Sequence, residues 1–121
     1  MSNQKKTLVI GASENPARYS NRAIRSLRNN NHDVVALAKR KGQVEDVTVI
    51  TEFPEEGIDT VTLYVGPQNQ PEYYSRIINL KPRRVIFNPG TENSDFIGKL
   101  EEHNIEAVEA CTLVMLSIGN Y

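Results

Sequence analysis

The chain has 121 residues, 39% hydrophobic and 24% charged, which fits one folded domain and excludes collagen-like, low-complexity and wholly disordered architectures. No apolar run approaches the ~18 residues of a membrane span; one cysteine, Cys111, cannot form an internal disulfide, and no paired Cys/His spacing suggests a metal site. Net charge is −1, yet residues 1 to 41 carry nine basic against two acidic residues and residues 42 to 121 five against thirteen, making the first third a candidate anion site, with Arg22, Arg25 and Arg28 fitting a solvated helix surface.

The polar start from Met1 to Lys6 leads straight into a strand, unlike a secretory signal, and predicts a cytoplasmic protein. Thr7 to Ile10 is a short β-rich run ending in Gly11, and Val34 to Ala38 is another. Between them, Ser20 to Asn30 carries Ala23, Ile24 and Leu27 at the spacing of one helix face. The polar run Asn29 to Asp33 supplies the turn before the second strand. Lys41 to Asp46 is too short for a helical crossover, so Val47 to Thr51 is expected as a short edge strand, followed by a turn through Pro54 and Gly57. Thr60 to Val65 reads as a buried strand, and Pro71 to Leu80 as a helix with Tyr74, Ile77 and Ile78 inward. Arg84 to Asn88 is the next strand, Phe96, Ile97 and Leu100 mark a third helix, Ile105 to Val108 a last strand, and Thr112 to Ile118 a short terminal helix. Strands alternating with helices imply right-handed crossovers: an α/β, doubly wound, mostly parallel sheet of about five to six strands, in a single domain over residues 1 to 121.

In such a sheet, ligands sit beyond the carboxyl ends of the strands where strand order reverses. The first loop there runs from Gly11 to Ser20. Gly11 permits a tight turn off the strand, Ala12 and Ser13 are small enough for a ligand to reach their N–H groups, and Ser20 is placed to cap the next helix, whose N-terminus attracts phosphate. Only one glycine is present, so the three-glycine dinucleotide pattern is absent. Rossmann-type NAD sites carry an acid at the end of strand two. Here that end reads Ala38-Lys39-Arg40-Lys41, which would pair with a phosphate on the adenosine ribose. NADP carries one at the 2′ position and coenzyme A at the 3′ position.

Gly11-Ala12-Ser13, Asn15-Pro16 and Arg18-Tyr19-Ser20, with Leu27 and the basic stretch after Ala38, resemble the small single-domain CoA-binding proteins related to the CoA-binding domain of the succinyl-CoA synthetase α subunit. The resemblance spans nearly the whole chain, including Val65-Gly66-Pro67 and Glu109-Ala110-Cys111. It implies a Rossmann-like domain with a phosphate-binding first loop and makes CoA or an acyl-CoA the leading ligand. Together with the loop positions, it points to Gly11, Ala12, Ser13, Pro16, Arg18, Tyr19, Ser20, Lys39, Arg40, Val65, Gly66, Pro67, Asn88 and Gly90 as the cofactor-binding residues. Two positions depart from the family: Asn88-Pro89-Gly90 keeps a glycine but changes an amide, and Ala110 stands where an arginine is common, so that arginine's role is not carried over.

No catalytic residue is expected. The chain is too short for the phosphohistidine domain of the synthetases, and His32, in a turn at the far sheet end, and His103, after the third helix, read as surface or capping residues. No Walker A loop or G-x-S-x-G elbow is present, and no tyrosine has lysine four residues on. Cys111 has no identifiable base and reads as a packed thiol lining the cleft. The expectation is a stand-alone CoA or acyl-CoA binding domain without intrinsic catalysis, with a small-molecule nucleotide ligand and neither nucleic acid nor membrane as partner. An NADP-dependent reductase and an interaction module with a vestigial cleft are the alternatives.

Overall fold

The computed structural model describes residues 4–121; Met1 to Asn3, half of the polar start, lie outside the described residues. The strands are β1 (Thr7–Ile10), β2 (Val34–Leu37), β3 (Gly42–Val44), β4 (Val47–Ile50), β5 (Thr60–Leu63), β6 (Arg84–Phe87) and β7 (Glu106–Glu109). The helices are α1 (Tyr19–Asn29), α2 (Tyr74–Leu80), α3 (Ser94–Glu102) and α4 (Thr112–Ser117), with two 3-10 turns, Pro67–Asn69 and Pro71–Tyr73, leading into α2. One sheet of order β3-β4-β2-β1-β5-β6-β7 results. Six strands are parallel, and β3 alone runs antiparallel, pairing Gly42 with Val49 and Val44 with Val47.

The sheet therefore has one more strand than the alternating pattern predicts. Gly42, Gln43 and Val44 carry no strand signature of their own. They form β3 because a tight turn at Glu45, in the left-handed region (φ 52°), folds them back along β4. In consequence β4 is not the edge expected for Val47 to Thr51: it lies between β2 and β3, parallel to the former.

Alternation along each strand sorts the core into two layers. Leu8, Ile10, Val61, Leu63, Val85 and Phe87 face α2 and α3, where Ile77, Leu80, Phe96 and Leu100 cover them. Val9, Ala36 and Val49 face α1 and α4, under Ile24, Leu27 and Leu116. In the α2 region Tyr73 and Leu80 join Ile77 inside, whereas Tyr74 and Ile78, expected inward, are half-buried because the helix proper starts only at Tyr74. Tyr74 stacks on Phe96 at 4.2 Å. The chain passes from β1 outward through β2 and β4, then returns across the sheet to β5 on the other side of β1. Strand order thus reverses between β1 and β5, and the loops above those two strands frame a crevice.

Candidate functional site

The crevice begins with Gly11, whose φ of +94° places it in the left-handed region. A Cβ there would lie 3.0 Å from the backbone carbon and oxygen of Tyr64 and from Val65 Cγ1. Glycine is therefore required by the approach of the loop to the end of β5. The N–H groups of Gly11 and Ala12 both donate to Leu37 O, at 3.0 and 3.1 Å. This ties the loop to β2 and, contrary to the expectation for Ala12, takes its N–H away from a ligand. Ser13 Oγ accepts from Asn15 N–H at 3.1 Å and Asn15 Oδ1 from Ala17 N–H at 3.0 Å, shaping the turn through Pro16. Asn21 Nδ2 donates to Ser13 O at 2.8 Å. Sequence reading missed this brace; the available signal was an amide next to Ser20 in the first turn of the buried helix face.

Helix α1 starts at Tyr19, so Arg18 is the N-cap and Ser20 lies buried in the first turn instead of capping it. No side chain caps this end and no acid occupies its first turn, leaving uncompensated N–H groups and the positive end of the helix dipole. Beside it lies a cavity of about 360 Å³ bounded by Gly11, Ser13, Arg18, Tyr19, Ser20, Tyr64, Gly66, Pro89, Gly90 and Thr91. Gly90, at φ +93°, contributes open space: nothing lies within 4 Å of where its Cβ would stand.

A larger cleft of about 650 Å³ adjoins it, sharing Gly11, Ser13 and Tyr64, and is lined also by Ala12, Lys39, Arg40, Lys41, Val65, Asn69, Glu72 and Tyr73. Among these, Lys39 Nζ donates to Glu72 Oε1 at 2.5 Å. That hydrogen bond raises the Lys39 ammonium above its ordinary value and holds the Glu72 carboxyl below its own. Glu14 also borders the cleft, accepting from Gln43 N–H at 2.9 Å. The end of β2 is basic as expected, but the fold returns two carboxylates to its neighbourhood from other loops.

A third, smaller cavity of about 230 Å³ lies between Tyr19, Tyr64, Asn88, Pro89, Cys111 and Leu113. Asn88 is 2% exposed and its amide is committed internally. Nδ2 donates to Thr62 Oγ1 at 2.6 Å and to Leu63 O at 2.8 Å, and Oδ1 accepts from Thr112 N–H at 2.9 Å. Asn88 thus ties β5, β6 and α4 into the floor of the crevice and has no free amide edge to offer a ligand. Burial raises the Tyr64 hydroxyl well above its ordinary pKa. Gln70, fully buried and also missed in the sequence, donates from Nε2 to Val65 O (3.0 Å) and Thr91 O (2.7 Å), and its Oε1 accepts from Asn93 Nδ2 (2.9 Å). It clamps together the loops after β5 and β6. Pro16 and Pro67 line none of the three cavities; Pro16 is exposed in its turn and Pro67 opens a 3-10 turn.

Away from the crevice, His32 differs from the surface reading. It is buried at the far sheet end, accepting from Lys5 N–H at Nδ1 (2.9 Å) and packing on Tyr121. His103 is exposed, with Nδ1 2.9 Å from Lys99 O. Of the α1 arginines, Arg28 pairs with Asp46 at 2.7 Å. Among the described residues, no three His, Cys, Asp or Glu side chains cluster as for a metal ion, and no helix is long and apolar enough to cross a membrane.

A family model described as a CoA binding domain matches residues 5–117. A solved structure of an uncharacterized protein is 48% identical with a TM-score of 0.95, over 99% of this chain and 100% of that one. A structure from Thermus thermophilus, 20% identical, has a TM-score of 0.86 over 98% and 91%. A hypothetical protein from Pyrococcus horikoshii OT3, 24% identical, has a TM-score of 0.83 over 96% and 84%. The last two bear on the fold alone. No curated protein matches the chain.

Proposed function

Because the chain belongs to the CoA binding domain family, we propose that its crevice binds CoA or an acyl-CoA, and that its residues recognise this ligand without transforming it. The observation that carries this reading is the uncapped N-terminus of α1, opening with Arg18 and Gly90 onto a cavity that shares Gly11, Ser13 and Tyr64 with the cleft of Lys39 and Arg40. A helix N-terminus with an adjacent guanidinium suits a pyrophosphate. The ammonium of Lys39 and the guanidinium of Arg40 suit the ribose phosphate, while the larger cleft offers Tyr73, Val65 and Val49 to the adenine. The pantetheine arm then runs past Tyr64 and Pro89 towards Cys111.

Binding in place of turnover fits the groups around Cys111. Tyr64, with its raised pKa, stays protonated and neutral at physiological pH, and Asn88 is engaged in structural hydrogen bonds. Neither can act as the base a nucleophilic thiol requires. Recognition by Lys39 and Arg40 would also accept a 2′-phosphate, so calorimetry with CoA, NADP and NAD is the test. CoA is expected to bind most tightly. NADP binding more tightly than CoA would replace this reading with a reductase-type site.

A further inference from the structure

We propose that the cavity between Tyr19, Tyr64, Pro89, Cys111 and Leu113 receives the acyl group of a short, uncharged CoA thioester, so that the preferred ligand is the thioester and not free CoA. This rests on the CoA-binding reading above.

The cavity's position comes first. It shares Tyr19, Tyr64 and Pro89 with the cavity at the α1 N-terminus, so a ligand whose phosphates lie there has its far end directed into it. Its chemistry is the second argument. Asn88, its one amide, has both Nδ2 and Oδ1 engaged by Thr62, Leu63 and Thr112. No lysine, arginine or histidine lines it. What remains is ring, proline, thiol and leucine surface with two tyrosine hydroxyls and no cation, which gains from covering methylenes and offers no opposite charge to offset the desolvation of a carboxylate. A succinyl or malonyl group is therefore disfavoured, and a saturated acyl group favoured.

Size supplies the third argument. At about 230 Å³ the cavity has roughly a third of the volume of the 650 Å³ cleft. The exposed apolar residues Val114 and Ile118 do not extend it: Val114 follows Leu113 by one residue, about 100° around the helix, and Ile118 lies four beyond it on the same outer side. A chain longer than the cavity meets solvent and not a continuous apolar track.

Calorimetry on the full chain with CoA and with acetyl-, propanoyl-, butanoyl-, octanoyl- and succinyl-CoA tests the proposal. Affinity is expected to rise about fourfold for each methylene from acetyl to butanoyl, to gain nothing further at octanoyl, and to be weaker for succinyl-CoA than for butanoyl-CoA. Leu113→Phe, which fills the cavity from its half-buried rim, is expected to abolish the chain-length gain while free CoA still binds. Equal affinity for CoA and every thioester overturns the acyl pocket, as does a steady rise through octanoyl. Failure of the wild-type chain to bind any of these ligands would instead overturn the CoA reading on which it rests.

Discussion

Lys39 and Glu72 meet across the mouth of the larger cleft, with Nζ 2.5 Å from Oε1, although 33 residues separate them in the chain. Lys39 follows β2, and Glu72 sits in the 3-10 turn that leads into α2. The cation proposed to meet the ribose phosphate is thus already held by a carboxylate, which a bound phosphate would have to displace or share. Both side chains are largely exposed, so the pair itself adds little to stability; under the proposed binding mode its consequence would fall on ligand selection.

Replacing Glu72 by Gln keeps the shape of the turn and removes the competing charge. The expected outcome is a gain in CoA affinity of about two- to fivefold, the scale of an exposed ion pair, with 3′-dephospho-CoA unaffected. Paired titrations of both ligands check it, and equal changes for the two would show that Glu72 does not act on the phosphate.

Arg18 lies at the α1 N-terminus and lines the cavity proposed for the pyrophosphate, whereas Arg25 lies on the body of the same helix. Arg18→Ala is expected to weaken CoA binding about tenfold, as for a lost charge-assisted hydrogen bond, and Arg25→Ala to leave it nearly unchanged. Isothermal titration of the two variants at one ionic strength separates this local contact from a diffuse field of the basic helix, which would weaken both equally.

Gly11→Ala tests the backbone constraint at the start of the crevice. Its Cβ would come within 3.0 Å of the Tyr64 backbone at a φ of +94°. A loss of about 1 to 3 kcal/mol is expected for such a residue forced into a sparsely populated conformation. Urea unfolding checks it; an unchanged midpoint would mean that the loop relaxes freely from β5.

His32 makes stability depend on pH. Burial first, then the charges of Lys5 and Arg84, lower its pKa from the ordinary 6.5, with Asp59 acting the other way. Its Nδ1 must stay unprotonated to accept from Lys5 N–H. The unfolded chain therefore binds the proton more readily. The stabilising contribution is complete above about pH 6.5 and is lost as pH falls from there through the lowered folded-state value. Urea midpoints for the wild type and His32→Gln between about pH 7.5 and pH 5 check this, the variant being expected to lose the part of the slope that belongs to His32.

How much of this was legible beforehand differs between the fold and the site. The β-rich run from Thr7 to Ile10 and the helical spacing of Ala23, Ile24 and Leu27 are local signals, readable because each reflects the residue preferences or the repeat of its own element. Gly42 to Val44 carries no such signal, since a short edge strand is defined by its partner and not by its composition.

The sequence by itself determined the doubly wound layout, the glycine turn after β1 and the basic end of β2, because these follow from backbone period, steric freedom at Gly11 and the residue types along one short stretch. Only the tertiary structure decided that Ala12 spends its N–H on Leu37, that Asn88 and Gln70 are internal clamps, that Asn21 braces Ser13, and that Glu72 stands against Lys39. A hydrogen bond or ion pair is a property of two groups brought within about 3 Å, and between residues on different loops that distance is set by the packing of the whole sheet and its helices, which no local pattern encodes.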